Sequence, residues 1–297
     1  MKTTSILKKY EDKKQIIDQI AKYSTLIIAI FFGAIFLSIL VFLIVRGVNG
    51  LADIFSVTKW DFVNNYGVLP VLVGSLFVTL FAILISLPIS LCTSIVINEF
   101  TTQKVRIILI SIVEILAGIP SVIYGFFGVM FFVENGLLNY SVFLAALILA
   151  FMIVPNITHF INISLQTLPE HYRNASYALG ANRIETIMKV LIPNIRSGIM
   201  AGTMIGLSRA IGETIAVTML IGGTSNIDAH SFFTDFFNSF LFAPNLTLSS
   251  VIANNFLEAT KHEQDILYAI AIVLLLLVTI INFFALWIIR SREKNAK

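Results

Sequence analysis

The sequence predicts an all-α integral membrane protein with six transmembrane helices and both termini in the cytoplasm. Three observations lead there. The 297 residues are 57% hydrophobic and 12% charged, with a mean hydropathy of +0.90, against about 45–50% apolar and about 25% charged in a soluble domain. Six segments are long and apolar enough to cross ~30 Å of hydrocarbon, which takes roughly 20 residues of helix. Lys and Arg gather in alternate connections. The only other spanning structure, a closed β-barrel, needs alternating polar and apolar residues, and runs such as 274–278 do not alternate.

The spans are expected at 24–45, 70–97, 107–133, 141–165, 198–222 and 266–289. The first is too long for the ~7–15-residue apolar core of a cleaved signal peptide, so it reads as a retained span. The N-terminal tail carries Lys2, Lys8, Lys9, Lys13, Lys14 and Lys22, and the connection after the second span carries Lys104 and Arg106. The connection after the fourth carries Arg173, Arg183, Lys189 and Arg196, and the C-terminal tail Arg290, Arg292, Lys294 and Lys297. The other side has only Arg46, Lys59 and Lys261. Basic loops stay in the cytoplasm, which fixes the orientation. The tail 1–23 reads either as an amphipathic surface helix with Ile16, Ile17, Ile20 and Tyr23 on its apolar face, or as a solvated extension. The single Cys92 permits no internal disulfide and reads as a small buried hydrophobe. The external stretch 223–262 places Phe232, Phe233, Phe236, Phe237, Phe240 and Leu241 at helical spacing, consistent with a short helix packed at the outer interface.

Ionisable residues inside spans are costly and generally face a bundle interior or a pathway. Glu114, Arg209 and Glu213 are the three here. Arg209 lies about 16–17 Å along a helix that starts near Gly198, close to the bilayer midplane. Glu213 follows four residues later, so it shares a helix face with Arg209 and can pair with it. Two readings stand. Arg209 offers a guanidinium to a crossing anion while Glu213 holds it, or the two form a structural ion pair. Glu114 reads as a structural acid. In the third span, Gly118, Pro120 and Gly125 favour either a helix break beside a pathway or a plain kink.

The connection 166–196 is polar yet helical in pattern. Gly180 can end one helix in a left-handed turn, and Asn182 with Glu185 forms a capping box for the next. Ile184, Ile187, Met188 and Leu191 then recur along one face before Ile192-Pro193. A helical hairpin beneath a membrane bundle is suited to docking a soluble partner.

On these residues the sequence resembles the permease subunits of ABC importers. Their cytoplasmic signature, E-A-A, three residues, Gly, nine residues, I-x-L-P, is matched by Asn174-Ala175-Ser176, Gly180 and Val190-Leu191-Ile192-Pro193, with Asn for the leading Glu and Ser for the second Ala. The block Ile119 to Gly128, the block Ser208 to Val217 and the stretch Ser250 to Phe256 resemble those of phosphate-importer permeases. The resemblance implies a type I ABC importer permease fold. It would comprise a tail at 1–23, a first span and external loop at 24–69, a permease core at 70–290 with coupling helices at 166–196, and a tail at 291–297. It implies a subunit of the bacterial cytoplasmic membrane that translocates inorganic phosphate. The partners implied are a homologous sister permease, two ATPase subunits, an external phosphate-binding protein and membrane lipid, and no nucleic acid. Arg209, Glu213, Ser121 and Tyr124 would line the pathway. Asn174, Ala175, Ser176, Leu179, Gly180 and Ala181 would contact the ATPase. The chain contains no G-x-x-x-x-G-K-[ST] phosphate loop, so ATP would be used by the partner, with no cofactor or metal held here. A permease for another oxyanion such as phosphonate or molybdate, the sister phosphate permease, and a secondary anion transporter with Glu114 and Glu213 as proton sites are the alternative readings. The last would leave the hairpin unexplained and calls for paired halves that the sequence does not display.

Overall fold

A computed structural model describes residues 2–56, 60–61, 65–224 and 240–294. Among them, four helices are long and apolar enough to cross a membrane, at Asp18–Phe55, Val68–Glu99, Val142–Thr167 and Lys261–Phe284. Two bent helix pairs pass the same test, which gives six crossings if each pair counts as one.

Helix α1 (Lys2–Ser56) is continuous, so the tail and first span are one helix. Neither Gly nor Pro interrupts 18–32, and the Ser24 and Thr25 hydroxyls donate back to the Ala21 carbonyl rather than breaking the helix. Ile20 and Tyr23 are exposed together with Phe31, Phe32, Phe36 and most other side chains up to Val45. An apolar helix exposed on nearly all sides is a lipid-facing one. Its far end packs on α12 (Lys261–Lys294), where Phe42 meets the Tyr268 ring edge-on at 5.5 Å and Arg46 lies 3.9 Å from Asp265. Between them, β1 (Trp60–Asp61) and β2 (Asn65–Tyr66) form a minimal antiparallel ribbon.

The core is a parallel pair, α2 (Val68–Glu99) and α5 (Val142–Thr167). Leu144, Ile148, Leu149, Ile153, Ile157 and Ile161 of α5 are all fully buried. Small residues let the two backbones approach. Ser90 Oγ donates to the Val154 carbonyl (3.1 Å), Ser94 Oγ to the Thr158 carbonyl (3.2 Å), and Asn98 Nδ2 to Asn162 Oδ1 (2.7 Å). Each bond joins residues 64 apart, so one register holds over about two turns. Cys92 is exposed rather than buried, on a face of α2 turned away from this pair.

The third crossing is broken. Helix α3 (Gln103–Ala117) and α4 (Ser121–Gly128), extended by a π-helical turn at Val129–Val133, meet at 86°. Gly118 closes α3, and Pro120 forces Ile119 out of helical conformation and starts α4. Gly125 lies inside α4, not at the break. A Cβ there would fall 2.8 Å from Met219 Sδ and 3.1 Å from Ala216 Cα, so its role is close packing.

The fifth crossing, expected to run unbroken over 198–222, is also divided. Helix α9 (Arg196–Gly212) ends at Glu213, whose backbone is extended (φ −71°, ψ 123°), and α10 (Ile215–Ile221) follows. Helix α9 packs on α5 through Gly198, Gly202 and Gly206, whose added Cβ atoms would fall 1.8 to 3.1 Å from Ser164, Phe160 and Ile157. Phe240 and Leu241 are buried in the bundle, with the Phe240 ring 5.1 Å from Phe77 of α2. Phe232, Phe233, Phe236 and Phe237 lie outside the described residues. A capping box at Thr247 opens α11 (Leu248–Asn255).

Candidate anion pathway and cytoplasmic hairpin

Arg209 sits one turn from the end of α9, partly buried. Its Nη1 donates to Asn156 Oδ1 on α5 at 3.0 Å. Asn156 is fixed in turn by donating to the Met152 carbonyl at 3.2 Å. The Tyr124 hydroxyl donates to the Leu116 carbonyl across the α3–α4 bend (3.1 Å), and Ser121 is the first residue of α4. Arg209 and Tyr124 thus each lie next to a helix break.

The pairing expected between Arg209 and Glu213 is absent. Because α9 stops at Gly212, Glu213 no longer shares a helical face with Arg209. Its Oε1 instead accepts from the Ala216 N–H at 3.3 Å, at the start of α10, and its carbonyl accepts from Ser249 Oγ at 3.0 Å. The carboxylate thus serves free donors at a helix N-terminus. The result is a guanidinium with no carboxylate partner among the described residues, held by a neutral amide. Such a group keeps most of its fork free for an oxyanion.

Glu114 is more exposed than a structural acid would be, and it lies 3.9 Å from His159 Nδ1 on α5. Neither Asn156 nor His159 stood out in the sequence. The signal was present: Asn156, His159 and Asn162 recur every third residue inside an apolar run.

On the cytoplasmic side, α6 (His171–Ala178) ends at Gly180, whose φ of +87° few other residues adopt at low cost. Asn182 caps α7 (Arg183–Thr186): its Oδ1 accepts from the Glu185 N–H (2.9 Å), and Glu185 Oε2 accepts from the Asn182 N–H (3.0 Å). That N–H, with the Lys189 ammonium 3.4 Å away, holds the Glu185 carboxyl below its ordinary pKa. A π-helical turn (Ile187–Leu191) and a short α8 (Ile192–Asn194) lead to α9 at a 67° bend. Ser176, expected among the surface docking residues, is turned inward: its hydroxyl meets that of Thr186 at 2.9 Å and joins the two arms. Asn174, Ala175, Leu179 and Gly180 are exposed and Ala181 is partly so. Leu179 is 89% exposed, and Ile184 and Met188 are more than half exposed. These apolar tips are not covered by any of the described residues.

The hairpin is fastened to the bundle by Arg173. Its Nε and Nη2 both donate to Glu99 Oε1 (3.1 and 2.8 Å), and Nη2 reaches the Leu165 carbonyl (3.3 Å). Glu99, the last residue of α2, is only 5% exposed. Alongside, Arg183 lies over the Phe100 ring at 4.8 Å. Among the described residues no group of three His, Cys, Asp or Glu is placed to hold a metal ion.

The family model described as "binding-protein-dependent transport system inner membrane component" matches residues 90–294, which include the hairpin, Arg209 and Glu213. The chain belongs to this family. The permease is similar to the phosphate transport system permease protein PstC of Pasteurella multocida (strain Pm70), 29% identical over 302 residues that cover 88% of this chain and 91% of the relative. It is also similar to the probable ABC transporter permease protein YqgH of Bacillus subtilis (strain 168), 32% identical over 278 residues, 88% and 85% of the two chains. Among solved structures, it matches a bacterial ABC transporter involved in the import of the acidic polysaccharide alginate, with a TM-score of 0.56 and 14% identity over 88% of this chain and 95% of that one. That likeness establishes the fold as that of ABC importer permeases. The chain is a multi-pass inner-membrane component of a binding-protein-dependent importer, and such permease subunits are not enzymes in themselves.

Proposed function

We propose that this permease is one of the two membrane subunits of an ATP-driven importer of inorganic phosphate. The observation that carries the reading is Arg209: a guanidinium inside a spanning helix, answered among the described residues by the Asn156 amide and by no carboxylate. A charge at that depth is costly without a partner, and a fork of N–H donors matches phosphate oxygens. Relatives bearing the name of phosphate transport permeases give the anion its identity. In this reading the other half of the pathway comes from a homologous sister permease. An external phosphate-binding protein delivers the anion, and two ATPase subunits dock on the hairpin through Leu179, Ile184 and Met188. Both termini lie in the cytoplasm. ATP is bound and hydrolysed by the docked subunits, and this chain holds no cofactor.

The test is reconstitution of this chain with its sister permease and the ATPase in vesicles, with the binding protein on the outer side. Uptake of labelled phosphate should require ATP and the binding protein. It should resist a hundredfold excess of sulfate or molybdate. Uptake of another oxyanion in preference to phosphate would overturn the substrate, and transport that persists without the ATPase would overturn the class.

A further inference from the structure

Glu114 and His159 are not used by the function above. Both sit within the membrane. At 1.5 Å per residue, Glu114 is about 16 Å from the cytoplasmic end of α3 and His159 about 12 Å from that of α5. Their side chains are 56% and 41% exposed, 3.9 Å apart. Ionisable groups open to lipid at that depth are costly, and they generally face protein or a water-filled cavity instead. The face that carries them is therefore turned from lipid.

The same face carries Arg209. His159 follows Asn156 by three residues, which places both on one side of α5 about 4.5 Å apart along its axis. Asn156 is bonded to Arg209 on α9, and His159 is at ion-pair distance from Glu114 on α3. Helices α3 and α9 both pack on α5. Between them the α5 surface carries Asn156 and His159, and a groove there would run from Arg209 toward the cytoplasmic end.

From this juxtaposition we infer that His159 and Glu114 form a second anion station on the cytoplasmic side of Arg209, receiving an oxyanion released by the arginine. The inference rests on the anion-importer reading. His159 offers a ring N–H to the anion. Glu114 beside it limits how tightly the anion is held, so the anion is passed on and not trapped, as conduction requires. His159 also masks Glu114: without the imidazole, a bare carboxylate faces the anion's route and repels it.

This masking sets the test. In the reconstituted complex, His159→Ala should lower maximal phosphate uptake about tenfold. The double variant His159→Ala/Glu114→Ala should recover to within about threefold of the unaltered complex, because the repelling carboxylate is gone. A merely structural pair would move the thermal stability of the complex in that same order, whereas the station predicts the order in uptake per assembled complex with stability unchanged. Unchanged uptake in His159→Ala, or no recovery in the double, overturns the station. A second measurement does not depend on transport. With Cys92 replaced by Ser, His159→Cys in the full complex should react with a water-soluble, sulfonate-bearing thiol reagent applied from the cytoplasmic side. It should react several-fold more slowly with saturating inorganic phosphate present. Reaction only with an uncharged, lipid-soluble reagent overturns the inference. If the unaltered complex moves no phosphate, the importer reading fails, and labelling at position 159 still decides whether the groove is wet.

Discussion

Two arginines of this permease are placed in opposite circumstances. Arg173, in the cytoplasmic hairpin, gives both fork nitrogens to one buried carboxylate and adds a carbonyl contact. Arg209, inside the membrane, makes one side-chain hydrogen bond among the described residues, to a neutral amide. The first guanidinium is consumed by the fold and the second is left over. Structure-bearing charges are paired to completion, whereas a charge kept for a transient ligand is positioned but not neutralised. The nearest acid in the sequence to Arg209 is Glu213, and the break after Gly212 takes it away.

The largest effect that bears on this contrast is expected from Arg173→Ala. It strands the Glu99 carboxylate in a site where it is 5% exposed, and breaking such a buried pair costs about 3–5 kcal/mol. Thermal unfolding of the detergent-solubilised complex should fall markedly, and the ATPase subunits should co-purify poorly. A variant as stable as the parent would place Arg173 in the same class as Arg209. Next comes Arg209→Gln, which should leave thermal stability within about 0.5 kcal/mol, as for sites outside the packed network. Phosphate uptake should drop about tenfold to a hundredfold, the loss of one charge-assisted contact worth about 1.5–3 kcal/mol. Marked destabilisation with normal uptake would reverse the contrast. Asn182→Ala should cost about 1 kcal/mol through loss of the helix cap. The loss should be confined to the hairpin, as faster amide hydrogen exchange across 182–188. The smallest effect is in pH. Glu185 has its folded pKa lowered by the Asn182 N–H and Lys189, so its contribution is present above the ordinary carboxylate pKa and is lost as pH falls through the lowered value. Exchange protection of the hairpin should therefore be flat near neutrality and decline only below the usual carboxylate range. A decline centred near neutrality would exclude Glu185 as its cause.

Much of this was legible in the residues. The Asn182–Glu185 box and the Gly180 turn are local features, set by side chains three or four positions apart, and the sequence contains all that decides them. The break at Gly118–Pro120 is equally local. The break at Glu213 is not. No proline marks it, and a glycine within an apolar helix is compatible with continuation. It is fixed by tertiary partners, as Ser249 on α11 bonds the Glu213 carbonyl. Glu99 and Arg173 carry the same limitation. Read along the chain they are loop charges that set orientation, and only the fold brings residues 74 apart into contact. Asn156 and His159 were visible as polar interruptions of an apolar span, but which helix they answer is a matter of packing.

The seams on either side of α5 differ in friction. Toward α2, the three bonds from Ser90, Ser94 and Asn98 recur every four residues. Axial slip by a fraction of a turn breaks all three together, so the seam behaves as a detent that holds until a full pitch of about 5.4 Å is reached. Toward α9, the contact is a stripe of three glycines against Ser164, Phe160 and Ile157, with one side-chain bond, from Arg209 to Asn156, in place of three. Bound substrate that draws the Arg209 guanidinium away would therefore loosen this seam and leave the α2–α5 register untouched.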